Sequence, residues 1–219
     1  MQRAWSRMYP FWEDLNTEEQ KIIADSVAVR QMQKGESMQR GTGECSGMVY
    51  VEKGQLRAFI VSEEGREVTL YRIYGGELCV LSASCLMDAI VFDVMIEAVE
   101  ETTLLVLPSP VLNTIMKQEP QVELSLYRMV TERFSDVMWT MQQILFMGAD
   151  QRVAHFLWDE MAKTGETTIH LTHDEVARFI GSAREVVSKV LKYFVEEGVV
   201  ALSRGKIEIL DKTKLRSYL

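Results

Sequence analysis

Hydrophobic and polar positions change period twice along the chain. In "GMVYVEKGQLRAFIVSEEGREVTLYRIYGGE", residues 47–77, short apolar runs are broken at Lys53-Gly54, Glu64-Gly65 and Gly75-Gly76. Turn residues about every ten positions predict antiparallel strands of a sandwich or barrel. "FDVMIEAVEETTLLVLP" adds two more apolar strands and stops at Pro108. Ahead of the strands, "NTEEQKIIADSV" predicts a short helix, with Asn16 or Thr17 as its cap and acidic residues in its first turn.

From Pro120 to Met147 the chain has no internal Gly or Pro, and the period becomes helical. Leu124, Tyr127, Thr131, Phe134, Met138, Met141 and Leu145 follow steps of three and four, a heptad seam. Leu126, Val130, Val137 and Ile144 form a second row beside it. One row is expected to pack on the β-rich part. The other, with Tyr127, Thr131, Phe134, Met138, Met141 and Leu145, is expected to meet a second copy of the chain. The plainer reading is a helix buried within a monomer, but the stripe is too broad for one small barrel to cover.

A third regime starts near Gly148, a hinge position. "ADQRVAHFLWDEMAKTG" predicts an amphipathic helix closed by Gly165. Thr172 and Glu175 then form T-x-x-E, and Ser182 and Glu185 form S-x-x-E, two capping boxes either side of Gly181. The first predicts a helix to Ile180. The second predicts a helix over 183–197 with Val187, Val190, Leu191 and Phe194 on its inner face, ended by Gly198. "VVAL" and "KIEIL" around "SRGK" predict a β-hairpin. Two capped helices joined at a glycine and followed by a hairpin make a winged helix-turn-helix.

The exposed side of the second helix carries Arg184, Glu185, Ser188, Lys189 and Lys192. Arg and Lys donate to guanine O6 and N7, and Glu accepts from cytosine N4. An acidic side chain on a basic face suits base reading better than phosphate binding. A solvated helix with i,i+4 pairs such as Glu185–Lys189 is the alternative. Net charge is −8, which argues against a simple nucleic-acid coat protein, yet the charge is uneven. Residues 148–219 carry 11 basic and 11 acidic groups, and residues 181–219 carry 8 and 5. A local basic face is what phosphates feel.

This architecture resembles the Crp/Fnr superfamily of bacterial transcription regulators over nearly the whole chain. "LTHDEVARFIGSAREVVSKVLKYFVEEGVV" is similar to that family's helix-turn-helix signature. The resemblance implies an α+β fold: an N-terminal jelly-roll β-barrel sensor (1–116), a long dimerisation helix (117–147) and a C-terminal winged helix-turn-helix (148–219). It implies a homodimer on a palindromic double-stranded DNA site with a TGA-like core, and RNA polymerase as a partner. Arg184, Glu185 and Lys189 fall at base-reading positions of the cyclic-AMP receptor branch, and "EVVSK" resembles the Glu-x-x-Ser-Arg pattern of the Fnr branch, adding Ser188. Thr172 and His173 fall where the family contacts phosphate. Ser182, Lys192, Arg204 and Lys206 complete the expected backbone contacts.

The effector region, "GGELCVLSASCLMDAIVFDV", departs from the nucleotide-binding relatives. The phosphate cassette corresponds to "CVLSASCL", which has neither Gly nor Glu, and "VFDV" stands where their Arg falls. No Lys or Arg occurs from Ile73 to Met116, while six acidic residues do. Cyclic AMP is therefore not the expected ligand. Cys79, Val80, Ser82, Ser84, Cys85 and Phe92 remain as a possible effector region for a neutral or non-phosphate ligand, or for none. Three cysteines cannot supply the four ligands of a conventional iron–sulfur cluster. All three histidines (155, 170, 173) lie in the C-terminal part, so a haem would need a Cys or Met ligand, and a cupin-like metal enzyme lacks its histidines. Neither a metal site nor catalysis is expected, and no cofactor, although haem or a small ligand stays open. Cys79 and Cys85 are six residues apart, roughly 20 Å on a straight strand, so a thiol switch would need a bend between them. Small buried hydrophobes are the simpler reading. A haem- or thiol-based redox or gas-sensing regulator, and a winged helix that docks protein rather than DNA, are the alternatives. With no signal-like N-terminus and no membrane-length apolar run, the expected location is cytoplasmic.

Overall fold

The computed structural model describes residues 5–38, 47–65, 67–79 and 94–219. The chain divides into two compact units: Met1–Ile60 with Leu70–Val137, and Val61–Thr69 with Met138–Leu219.

The first unit opens with α1 (Trp5–Met8), a 3-10 turn (Trp12–Asp14) and α2 (Thr17–Ser26). Asn16 caps α2 with a full capping box. Its side chain accepts from the Glu18 and Glu19 amides, and the Glu19 carboxylate accepts from the Asn16 N–H at 2.9 Å. Strands follow: β1 (Ala28–Met32), β2 (Ser37–Met38), β3 (Met48–Lys53), β4 (Gln55–Val61), β5 (Glu67–Tyr74), β6 (Leu78–Cys79), β7 (Met95–Ala98) and β8 (Thr102–Leu107). They form two four-stranded sheets, β1-β8-β3-β6 and β2-β7-β4-β5. Met32, Val49, Val51 and Leu104 from one sheet meet Leu56, Ala58, Ile73 and Ile96 from the other in a shared core. The arrangement is a jelly-roll-like sandwich, and among the described residues no ladder closes it into a barrel.

Gly54 holds the tight β3–β4 connection at φ +93°. A Cβ there would lie 2.7 Å from the Glu101 carbonyl oxygen, so the position takes only glycine. Arg57 departs from the alternation expected of β4. It is buried to 2% exposure, paired with Glu97 at 3.0 Å, and its guanidinium lies 4.0 Å from the Phe59 ring centre. A buried arginine of this kind is retained only when paired.

β8 ends at Leu107, so the strands stop at Pro108 as the pattern predicts, and a helix starts there. Pro108 is the N-cap of α3 (Ser109–Gln118), with Pro110 inside its first turn. Proline lacks the N–H that a helix start leaves unused, so it begins helices as readily as it ends strands. The long helix α4 (Pro120–Phe146) follows. Val122 and Leu126 are buried with Leu112, Ile115, Leu105 and Leu107, beside the N-terminal aromatics Tyr9 and Phe11.

The second unit contains α5 (Ala149–Thr164), β9 (Thr168–Ile169), α6 (His173–Ile180), α7 (Arg184–Glu196), β10 (Val200–Ser203), β11 (Lys206–Ile209) and α8 (Lys212–Arg216). Gly165 ends α5 in the left-handed region, as the apolar pattern predicts. The core is Val153, Leu157, Val176, Val187, Leu191, Phe194, Val199, Ile207 and Leu215, with their neighbours. The small sheet has the order β10-β11-β9, so the strand that leads into α6 pairs with the hairpin through Ile169–Ile207 and Thr168–Glu208.

Candidate nucleic-acid interface

The helix pair is built by local chemistry. Thr172 is the N-cap of α6, its hydroxyl accepting from the Glu175 N–H at 3.2 Å, while the Glu175 carboxylate takes the Thr172 N–H at 2.8 Å and its O–H at 2.9 Å. This is the predicted capping box, and it commits the Thr172 hydroxyl to the helix start. Gly181 then takes φ +61° and closes α6.

The second predicted capping box does not form. Ala183, not Ser182, is the N-cap of α7, with no side-chain cap. The Ser182 amide is already used: it donates to the Ala177 carbonyl at 2.9 Å, completing with Gly181 a paired closure of α6. One further extended residue is needed before α7 begins, so the turn spans three residues. The last carbonyls of α6 are also taken up, Ile180 O by Arg152 and Arg178 O by the Thr69 hydroxyl, both at 3.0 Å.

α7 buries Val187, Leu191 and Phe194 and leaves Arg184, Glu185, Lys189 and Lys192 exposed. Among the described residues, none of these four is held in an ion pair; in particular, Glu185 and Lys189 do not pair. The solvated-pair reading of this face therefore loses its main support. Beside it, Arg184 joins Thr172, His173 and Asp174 from the start of α6, and Arg204, Gly205 and Lys206 from the hairpin tip, around a concavity of about 510 Å³. Gly205 makes the tip at φ +70°. Five of the ten residues expected to touch DNA thus line one open hollow. Ser182 is half-buried and stands apart from it.

One contact has no counterpart in the sequence pattern. His173 Nδ1 and Ser188 Oγ are hydrogen-bonded at 2.9 Å across 15 residues. Partial burial, and then the nearby Arg184 guanidinium, hold the His173 pKa below its usual value, so the ring is neutral at pH 7.

On α4, Tyr127, Phe134, Met138, Met141 and Leu145 are exposed, Leu145 to 65%, and Thr131 lies exposed in the same row. Leu126 is buried, and Val130, Val137 and Ile144 are half-buried. The two rows of the sequence pattern are thus distinct surfaces. Within the possible effector region, Cys79 is fully buried on β6 between the sheets. Val80, Ser82, Ser84, Cys85 and Phe92 lie outside the described residues. Among the described residues, no three His, Cys, Asp or Glu side chains gather as metal ligands would, and no helix is long and apolar enough to cross a membrane.

A jelly-roll-like unit, a long helix with an exposed apolar row and a winged helix-turn-helix whose second helix shows an exposed, largely basic face define a DNA-binding regulator. Residues 151–218 match the Crp-like helix-turn-helix domain. A crystal structure of a Crp/Fnr-family protein from Eubacterium rectale is 43% identical and covers 96% of this chain and 98% of its own, with a TM-score of 0.90. The cyclic AMP receptor protein of Thermus thermophilus is 30% identical over 165 residues, 75% of this chain and 76% of that protein. Transcriptional activator protein Anr of Pseudomonas aeruginosa is 27% identical over 194 residues, 85% of this chain and 78% of that protein. The chain belongs to the Crp/Fnr family of transcription regulators.

Proposed function

We propose that the chain works as a homodimer that reads a palindromic DNA site with two copies of α7, one in each half-site. Arg184, Glu185, Ser188 and Lys189 address base edges, while His173, Ser182, Lys192, Arg204 and Lys206 address the sugar-phosphate backbone; Thr172, whose N–H and O–H both donate to Glu175, sets the start of α6 beside them. The observation that carries this reading is the α7 face itself, where an acidic side chain sits among three cations and none of the four is held in an ion pair among the described residues. Charged groups left unpaired and aimed outward at a helix start suit directional contact with base edges. The α4 row of Tyr127, Thr131, Phe134, Met138, Met141 and Leu145 is the dimer seam, because an exposed apolar stripe on a long helix is covered in water by a partner. The action is binding rather than catalysis, with RNA polymerase as the onward partner and the cytoplasm as the place where the DNA is met. The half-site is expected to carry a TGA-like core.

The effector is not a cyclic nucleotide. The stretch 73–116 supplies no cation for a phosphate, and Arg57, the buried cation of the same unit, is already neutralised by Glu97. With three cysteines in the chain and Cys79 packed in the core, a conventional iron–sulfur cluster does not fit either. The test is selection of duplexes from a randomised palindromic pool by the full-length protein, followed by titration at several salt concentrations. The expected result is an enriched two-fold site whose affinity falls steeply with salt. Affinity with neither sequence preference nor salt dependence would sink the proposal and leave a protein-docking winged helix.

A further inference from the structure

Hydroxyls inside helices can fold back on the carbonyl four residues earlier. This chain follows the habit at Thr114, Thr131 and Thr164, which donate to Pro110, Tyr127 and Glu160 at 2.9 Å each. Ser188, in the second turn of α7, does not. Its only side-chain hydrogen bond among the described residues runs to His173 Nδ1, at the first position of α6. One residue expected to contact backbone and one expected to read bases are thereby joined.

We propose that His173 is a positioning residue for base reading, one that fixes which way the Ser188 hydroxyl faces the DNA. The inference rests on α7 being the base-reading helix. A hydroxyl left to itself donates or accepts and so tolerates any base pair. Here the imidazole removes that freedom. His173 lines the concavity among Arg184, Arg204 and Lys206, the place a phosphate approaches, where a ring N–H is needed as donor. That favours the proton on Nε2 and leaves Nδ1 as acceptor for the Ser188 O–H. The outward side of Ser188 Oγ then carries only lone pairs. It accepts from an exocyclic amino group, adenine N6 or cytosine N4, and rejects a pair that offers only acceptors there.

Protonation reverses the bond. Nδ1–H would donate to Oγ, the hydroxyl hydrogen would turn outward, and two donors would face each other at the amino group. The charged groups around the ring are Asp174 on its own helix, Arg184 on α7, and Arg204 and Lys206 on the hairpin. Asp174 is turned to Arg178 at 3.6 Å, so partial burial, and then the Arg184 guanidinium, keep the ring neutral, with an arriving phosphate acting in the opposite sense.

The experiment uses full-length protein and the duplex that the wild type enriches from a randomised pool, with each single base-pair substitution of it. Dissociation constants are measured for wild type, Ser188→Ala, His173→Ala, His173→Asn and the double alanine variant. Ser188→Ala is expected to lower discrimination at one base pair about tenfold. His173→Ala should lower it at the same pair by a similar factor, and the double variant should lose no more. His173→Asn, whose Oδ1 can accept in place of Nδ1, should keep most of it. In the wild type that preference should weaken only at a pH below the ordinary histidine range, since the His173 pKa is lowered, and in His173→Asn it should not.

The proposal is overturned if His173→Ala weakens every duplex by one common factor with a shallower salt slope, which is a phosphate contact alone. Additive losses in the double variant, or unchanged discrimination in Ser188→Ala, overturn it equally. If the wild type enriches no sequence, α7 is not the reading helix and the broader proposal fails as well.

Discussion

Gly181 sets the turn between the two helices, and replacing it with alanine has a cost that can be worked out. Its φ of +61° and ψ of 43° lie in the left-handed region, where a Cβ costs about 1–2 kcal/mol. The new methyl would also meet Val68 Cγ2 at 3.3 Å, Val68 Cγ1 at 3.4 Å and Ile144 Cδ1 at 3.6 Å. The first distance requires Val68 to give by a few tenths of an ångström, so overpacking adds about 1 kcal/mol. The smaller entropy of an unfolded alanine chain returns about 0.4–1 kcal/mol. The balance is a loss of about 2 kcal/mol, read from the urea midpoint and slope by circular dichroism. The two contributions separate in a Val68→Ala background. There the contact vanishes, and a penalty of about 1 kcal/mol from the backbone should remain. A Gly181→Ala protein as stable as wild type would refute the reasoning. So would a penalty that disappears entirely with Val68, because the left-handed turn would then carry none of the strain assigned to it.

Three further outcomes are expected. Glu185→Ala should relax base choice at one position, whereas Lys192→Ala should weaken all duplexes alike and reduce the salt slope by about one; equal, sequence-independent losses would remove Glu185 from base reading. Phe134→Glu with Met138→Glu should shift the protein to monomers in sedimentation equilibrium, since two buried charges per helix oppose the seam; an unchanged mass would place the interface elsewhere. Cys79 should resist thiol reagents in native protein and react after denaturation, as peptide mass spectrometry can follow; rapid native labelling would show that the core between the sheets opens.

What the sequence made legible is local. The Asn16 and Thr172 caps, the left-handed Gly181 and the two α4 rows each depend on residues within a turn or two, and period and spacing carry that information. Ser182 shows the limit: S-x-x-E is a valid cap, but its amide was already engaged by the preceding helix end. Pro108 reads equally as a strand stop and a helix start, and α3 begins there. The His173–Ser188 bond depends on how α6 crosses α7, and the Arg57–Glu97 pair on two strands 40 residues apart in sequence. Neither leaves a periodic trace. The candidate interface was therefore visible as a list of residues, but not as a set of bonds among them.

The third strand of the small sheet bears on how fast this protein could engage DNA. A free two-stranded hairpin is marginal in water, and one that ordered only on contact would charge its entropy to the encounter. β9 pairs with β11 at Ile169–Ile207, two strands of a sheet that also anchors the chain just ahead of Thr172. The hairpin and the chain leading into α6 are thus joined in one sheet before any DNA is met. Association then needs no folding step and can run at the rate that diffusion and electrostatic steering allow. Differences in affinity between one DNA sequence and another would appear as differences in how long the complex lasts.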